Sequence, residues 1–312
     1  TFQRWTENSS QVSTNANYTF TVTSNRSLVA QFTYNPQAPT GAINGLFSVS
    51  ATKQVWFSQG NLQYRASTNT WRFATNQWDY VGGTDLNGNF HGNVSGCNNN
   101  SISSTYTGLI DLFGWGTSGW NCGNTYYRPW DYLGDASSYG PLGSYNLVDN
   151  YANSDWGYYN AINNGGNMAR QWRTLTENEW EYVLYSRSTT SGIRYVKAKV
   201  NNVKGVVLLP DNWNTNTYTL YNANQGEASF NSNVISLSSW NNNLQAHGAV
   251  FLPAAGDRYD QDFVEYDMGF YYSSTAFDNE NGWRLQFGED HLWMNAVMRS
   301  AGMSVRLVCP AN

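Results

Sequence analysis

Apolar and polar residues alternate in short runs along most of this chain, the two-residue period of strands that bury one face. The runs 18–23 (YTFTVT) and 28–34 (LVAQFTY) alternate on either side of the turn signal Ser24-Asn-Arg-Ser, which predicts a hairpin. Further short strands are predicted at 46–50, 54–58, 61–65 and 70–74, with turns at Gly60 and Ser67-Thr-Asn. The runs 193–200 and 204–209 form a hairpin turning at Asn201-Asn202, and 250–253 (VFLP) is a buried strand. The run 304–308 (SVRLV) is the last strand.

Helical spacing stands out at 172–187, WRTLTENEWEYVLYSR. Thr176 is a good N-cap and Glu179 follows three residues on, so the two can form a capping box. Leu175 and Trp180 stand where a hydrophobic staple would, and Trp180, Val183, Leu184 and Arg187 share one face. Glu177, Glu179 and Glu181 read as a charged first turn that suits the helix dipole, in preference to acid–base groups. A second, short helix capped by Ser238 or Ser239 runs through His247, and 109–113 begins or ends another. Residues 82–104 are rich in Gly, Asn and Ser and read as a long loop, and 114–165 has no periodicity.

Composition sharpens this picture. Of 312 residues only 12% are charged while 16% are aromatic, with 14 Trp and 22 Tyr. That balance excludes a coiled coil and suits a loop-rich extracellular fold with an amide and hydroxyl surface. The net charge of -5 and the absence of a Lys/Arg run argue against nucleic acid or an anionic membrane as partner. No apolar run is long enough to span a bilayer. Asn35-Pro-Gln-Ala-Pro-Thr-Gly reads as a linker, giving a small module over 1–34, a linker over 35–44 and a main domain over 45–312.

Several stretches resemble known families. Residues 173–182, RTLTENEWEY, resemble the R-L-P-T-E-A-E-W-E-Y segment of formylglycine-generating-enzyme-like domains, which elaborate the C-type lectin fold. The pattern of Trp5-Thr-Glu-Asn, 12–22 and 25–32 resembles the second half of internalin-type B repeats, so the first module is expected to be a partial β-repeat stalk in a piece of a longer protein. FLPAAGDRY, GFYYSST, WRLQF and GMSVRLV over 251–308, with FSVSATK, FSQGNLQY and DLFGWG upstream, are similar to large secreted proteins of gut bacteria and their phages. Several of those are variable proteins of diversity-generating retroelements. The resemblance implies an α+β, loop-rich, formylglycine-generating-enzyme-like C-type lectin fold whose last strand pairs with its first. It further implies a ligand surface rewritten near the 3′ end of the gene.

The residues make physical sense of such a surface. His291-Leu-Trp-Met-Asn-Ala-Val-Met298 mixes an aromatic, thioethers and polar groups without a helical or strand period, and Phe270, Tyr272 and Phe277 sit among Ser and Asp. Exposed aromatics and Met add contact area at low entropy cost. The candidate ligand-binding residues are therefore Phe270, Tyr272, Phe277, Asp278, Glu280, Asp290, His291, Trp293, Asn295, Val297, Met298, Ala301 and Met303. Where the family has Trp in G-x-Y-W-S-S-T, this chain has Tyr272.

Other chemistry is thinly supported. Gly114-Trp-Gly-Thr-Ser-Gly119 matches a dinucleotide fingerprint in letters alone, with no β-α-β unit around it. His91, His247 and His291 are isolated, and no metal site or cofactor is expected. Formylglycine-generating enzymes use a pair of cysteines late in the chain, where this chain has Cys309 alone, so that activity is not carried over. Cys97 and Cys122 are either bridged or, with Cys309, unpaired thiols. Asp257, Asp260, Asp262, Glu265 and Asp267 either gather around calcium or form a solvated acidic loop, the preferred reading. The expected function is non-catalytic binding by a monomeric, surface-displayed receptor or adhesin of a bacterium or phage, its partner a protein or glycan on another cell surface. A carbohydrate-binding adhesin of fixed specificity is the alternative, and an enzyme of the same fold comes third.

Overall fold

A computed structural model describes residues 2–32, 37–100, 103–120, 129 and 139–311. The chain divides into two compact units, Thr1–Gln37 and Ala38–Asn312. The second unit thus takes up much of the expected linker. The Ile43 amide donates to the Phe57 carbonyl at 2.9 Å, and Ala42 forms a β-bridge with Ser58.

In the first unit the hairpin expected between 18–23 and 28–34 does not form. Phe2–Glu7 is the central strand instead, flanked by Ser10–Ser13 and Val29–Phe32. Residues 18–22 belong to no strand. Their aromatics are held by a side chain: Arg26 stacks over Phe20 at 4.5 Å and donates to the Glu7 carboxylate at 2.7 Å. A guanidinium clamped between a ring and a carboxylate gives this stretch the anchor that a strand ladder would have given.

The second unit is mixed α+β, mostly short strands and loops with a few short helices. One sheet has the order Arg173–Thr174, Leu307–Ala311, Gln54–Phe57, Phe47–Ser48. The last strand therefore starts later than SVRLV suggests and pairs directly with Gln54–Phe57, with Phe47–Ser48 one place further out. A second sheet has the order Val234–Ile235, Tyr195–Val200, Val203–Leu208, Val250–Pro253. Its hairpin turns at Asn201 and Asn202, with φ of 48° and 64°, the left-handed pair that Asn tolerates better than most residues. A third sheet of Gly269–Ala276, Asn281–Phe287 and Leu292–Met298, with the turns between its strands, carries most of the candidate residues. Residues 109–113 are not helical: Ile110 bridges to Tyr64 and Phe113 to Met303. Within 82–104, Gly83–Thr84 and Phe90–His91 pair as a small hairpin.

The predicted capping box is present. Thr176 accepts from the Glu179 amide at 3.2 Å, and the Glu179 carboxylate accepts from the Thr176 amide at 2.9 Å. The α-helix Glu177–Glu181 runs into a π-turn, Tyr182–Ser186, and Trp180, Val183, Leu184 and Arg187 are all buried. Leu175 and Trp180 lie in the same core cluster as Phe47, Phe57 and Leu285. Replacing Thr176 by Ala is expected to lower stability by about 1 kcal/mol, read as a shift in the urea midpoint, with Ser largely restoring it. An unchanged midpoint would assign the anchoring of this turn to the Arg173–Glu179 pair at 2.6 Å. The second helix starts earlier than expected: Ser236, not Ser238 or Ser239, caps Leu237–Ser239, accepting from the Ser239 amide.

Candidate ligand-binding surface

The third sheet sits between two cores. Tyr271, Leu285, Phe287 and Leu292 belong to the cluster around Trp180. Phe270, Tyr272 and Val297 belong to a second cluster around Trp115, Trp156 and Trp172. Cross-strand partners share a face. Pairing of Phe270 with Gln286 and Trp293, and of Tyr272 with Arg284 and Asn295, places these six on one side. That side is covered under Gly269–Ala276 and opens to solvent at the edge strand, where Trp293 is 48% exposed.

Five candidates are therefore corrected from surface to interior. Phe270, Tyr272 and Met303 are fully buried, and Ala301 and Val297 nearly so. Phe270 lies under the Arg284 guanidinium at 4.3 Å. The Tyr272 hydroxyl donates to the carbonyls of Ala301 and Met298 at 2.8 and 3.0 Å. Met303 exchanges backbone hydrogen bonds with Phe113. These are framework roles. The segment 291–298 is also more regular than its letters imply, since Leu292–Met298 is a strand of seven residues.

Apart from Asn295, exposed at mid-strand, the exposed and half-buried candidates fall at the two ends of this edge strand, which pairs Leu292 with Phe287 at one end and Met298 with Asn281 at the other. Six residue steps separate the ends by roughly 20 Å. At the far end are Met298, Glu280, Asp278 and Phe277, whose ring packs edge-on against Trp283 at 5.2 Å. The Glu280 and Asn281 amides donate to Asp278 at 2.8 and 2.7 Å, and these bonds hold its carboxyl below the usual carboxylate range.

At the near end the His291 ring stacks on Trp293 at 4.4 Å. Its Nδ1 is 2.8 Å from the Asp290 carboxylate, which that contact holds below the usual range. Its Nε2 lies 3.2 Å from the Gln286 amide nitrogen. Gln286 Oε1 in turn accepts from Arg284 at 2.9 Å and from Asn295 at 3.3 Å. The outward residues are thus wired to a buried arginine. Residues that the sequence reading did not single out complete this end. Tyr185, Tyr195, Gln225, Glu227, Asp290 and Trp293 line a groove of about 530 Å³. Tyr185 donates its hydroxyl to the Leu292 carbonyl at 3.2 Å. Lys197 ties the two loops below the groove together, donating to the Gly226 and Glu289 carbonyls at 2.8 and 2.9 Å. Burial pushes its ammonium down to about 8.

The remaining candidates are placed elsewhere. Asp257 points inward and lies 3.7 Å from Arg284, while Asp267 pairs with Lys204 at 3.1 Å, so the acidic run splits between interior and surface. His91 stacks on Tyr266 at 3.6 Å and bonds Asp85 at 2.9 Å, and His247 bonds the Asn243 carbonyl. The Cys97 sulfur accepts from the Leu109 amide and Cys309 is buried in the last strand. The proposed pairing of Cys97 with Cys122 lies outside the described residues, because Cys122 does. Among the described residues no helix is long and apolar enough to cross a membrane.

Comparison with protein-family models, with curated proteins and with solved structures gives no match to this chain.

Proposed function

We propose that the second unit is a C-type lectin fold of the formylglycine-generating-enzyme-like type and that it works as a non-catalytic binding protein. In this reading it is a retroelement-diversified receptor or adhesin displayed outside a bacterial cell or on a phage, with the first unit as part of a β-repeat stalk. The observation that carries the reading is the division of labour along 270–303. Phe277, Glu280, Asp290, Trp293, Asn295 and Met298 are exposed, and they stand on or beside a sheet whose Phe270, Tyr271, Tyr272, Leu285, Phe287, Leu292 and Val297 side chains are locked into two cores. A rigid scaffold under exposed side chains loses little entropy on binding, so the contacts can change while the fold persists.

Sequencing the 3′ end of the gene across a natural population, with its flanking DNA, tests this. Substitutions are expected at codons 277, 278, 280, 290, 291, 293, 295 and 298, matched to adenines in a nearby template repeat. Codons 270, 272, 297, 301 and 303 should be nearly constant, because their side chains are interior. Variation spread evenly over both sets, or a 3′ end no more variable than codons 45–250, would defeat the diversification reading.

The groove at the near end favours a second reading, a glycan-binding adhesin of fixed specificity. Exposed Tyr185 and Trp293 give rings for sugar faces, and Gln225, Glu227 and Asp290 give polar groups for hydroxyls. That reading requires saturable glycan binding that Trp293→Ala and Tyr185→Ala both abolish.

A further inference from the structure

The hairpin of Leu62–Arg65 and Thr70–Phe73 pairs Arg65 with Thr70 and Gln63 with Arg72. Paired residues project to the same face, so Arg65 and Arg72 are diagonal neighbours, roughly 7–8 Å apart at their Cα atoms. Both line a pocket of about 330 Å³ together with Thr68, Thr70, Asn163 and Asn164. No carboxylate lines it among the described residues. Among those residues Arg65 makes no ion pair or side-chain hydrogen bond. Arg72 is held in place by donating to the Phe73 carbonyl at 3.2 Å and to Thr75 Oγ1 at 2.8 Å.

The pocket is also built rigidly. Asn164 accepts from the Phe73 amide at 2.7 Å and donates to the Phe73 carbonyl at 2.9 Å. The Asn163 amide donates to the Trp71 carbonyl at 2.9 Å. These three bonds pin the 163–164 turn against the hairpin. Two like charges side by side repel, and among the described residues no acidic side chain lines the pocket to offset them. The chain has only 17 basic residues against 22 acidic ones, so two adjacent guanidiniums without an acid stand out. Guanidinium forks match oxygens arranged on a tetrahedral centre, and hydroxyls and amides fill the remaining positions.

We propose that this pocket binds a tetrahedral oxyanion, a sulfate or phosphate group either free or carried on a sugar, through Arg65 and Arg72. The site stands apart from the C-terminal surface and does not rest on the function proposed for it. The test is a titration of the whole chain with sodium sulfate, sodium phosphate, galactose 6-sulfate and galactose at constant ionic strength, followed by backbone amide shifts. Sulfate should shift amides in 65–72 and 163–164 saturably, and galactose should not. Arg65→Gln and Arg72→Gln should each weaken sulfate roughly tenfold, while Lys53→Gln at another surface site leaves it unchanged. Galactose 6-sulfate binding tighter than sulfate would identify a sugar-borne group as the ligand, and equal affinity a free anion. Linear shifts scattered over many basic residues, or saturable binding that survives in the Arg65→Gln/Arg72→Gln double variant, would overturn the proposal. Both arginines lie on a partly exposed hairpin face, and the unshifted amides of each variant report that it is folded.

Discussion

Replacing Arg299 by Met is expected to destabilise the second unit by roughly 3–5 kcal/mol, because several carbonyls lose their donor at once and each buried acceptor left unpaired costs about 1–3 kcal/mol. Arg299 is fully buried and its guanidinium lies over the Trp115 ring at 4.5 Å. It donates to the carbonyls of Tyr139, Pro141 and Gly143 at 3.2, 3.0 and 2.9 Å, and also to the carbonyl of Asp278. Its own amide donates to the Glu280 carbonyl at 2.8 Å. One side chain therefore gathers the 139–143 loop and the 277–281 turn, which carries Phe277, Asp278 and Glu280. Met fills much of the volume but donates nothing, and four carbonyls lose a charged donor in a buried place. Lys keeps the charge but lacks the planar fork, so Arg299→Lys should fall between wild type and Met. Urea denaturation gives the numbers. A loss below about 1 kcal/mol in Arg299→Met would mean that water reaches these carbonyls, and that the turn is held by Asp278 and its amide donors alone.

How much of this could be read from the letters depends on which force sets each element. The Thr176 capping box and the Asn201-Asn202 hairpin are local devices, so residues three apart or side by side carry the whole signal. Phe270 and Tyr272 are different. The strand Gly269–Ala276 is buried on both faces, and a strand of that kind shows no alternation. Aromatics set among Ser then look the same whether they face solvent or a second core. Leu292–Met298 misleads in the opposite direction. As an edge strand it leaves Trp293 and Met298 half exposed, so apolar letters sit on both faces and the two-residue period disappears. Residues 18–23 alternate well yet form no strand, because the Arg26 clamp to Glu7 and Phe20 is a tertiary contact that periodicity does not see. The groove was illegible for the same reason, since Tyr185, Tyr195 and Gln225 are distant in sequence from Trp293.

Between pH 6 and pH 8 the second unit is expected to lose roughly 2–3 kcal/mol of stability, and Asp257→Asn should remove that loss. Asp257 is completely buried, neither carboxylate oxygen has a hydrogen-bond partner among the described residues, and Arg284 stands 3.7 Å away. Burial, reinforced by the negative charge of Glu265 and opposed by Arg284, pushes its carboxyl up to about 8. The folded chain then holds a proton that the unfolded chain has released above the ordinary carboxylate range. Stability from this group is complete below about pH 4 and is lost as pH rises through about 8, at about 1.4 kcal/mol per pH unit. Asp111 and Asp155, fully buried and pushed up to about 6, add a decline of the same sign that tails off just above pH 6. The interval from pH 6 to pH 8 is thus where Asp257 is distinguishable from them. Urea midpoints at pH 6, 7 and 8 should fall in the wild type and stay level in Asp257→Asn. The opposite pattern, an Asn variant weakened most at pH 8, would mean that Asp257 is ionised and serves as the counter-charge of Arg284. Under the proposed binding function the two outcomes differ for recognition as well. Arg284 donates to Gln286, which also contacts Asn295 and His291. A neutral Asp257 leaves the positive charge of Arg284 uncompensated beneath the exposed edge, where it favours an acidic or strongly polar group on the partner. An ionised Asp257 cancels that field and leaves recognition to the aromatic and amide side chains.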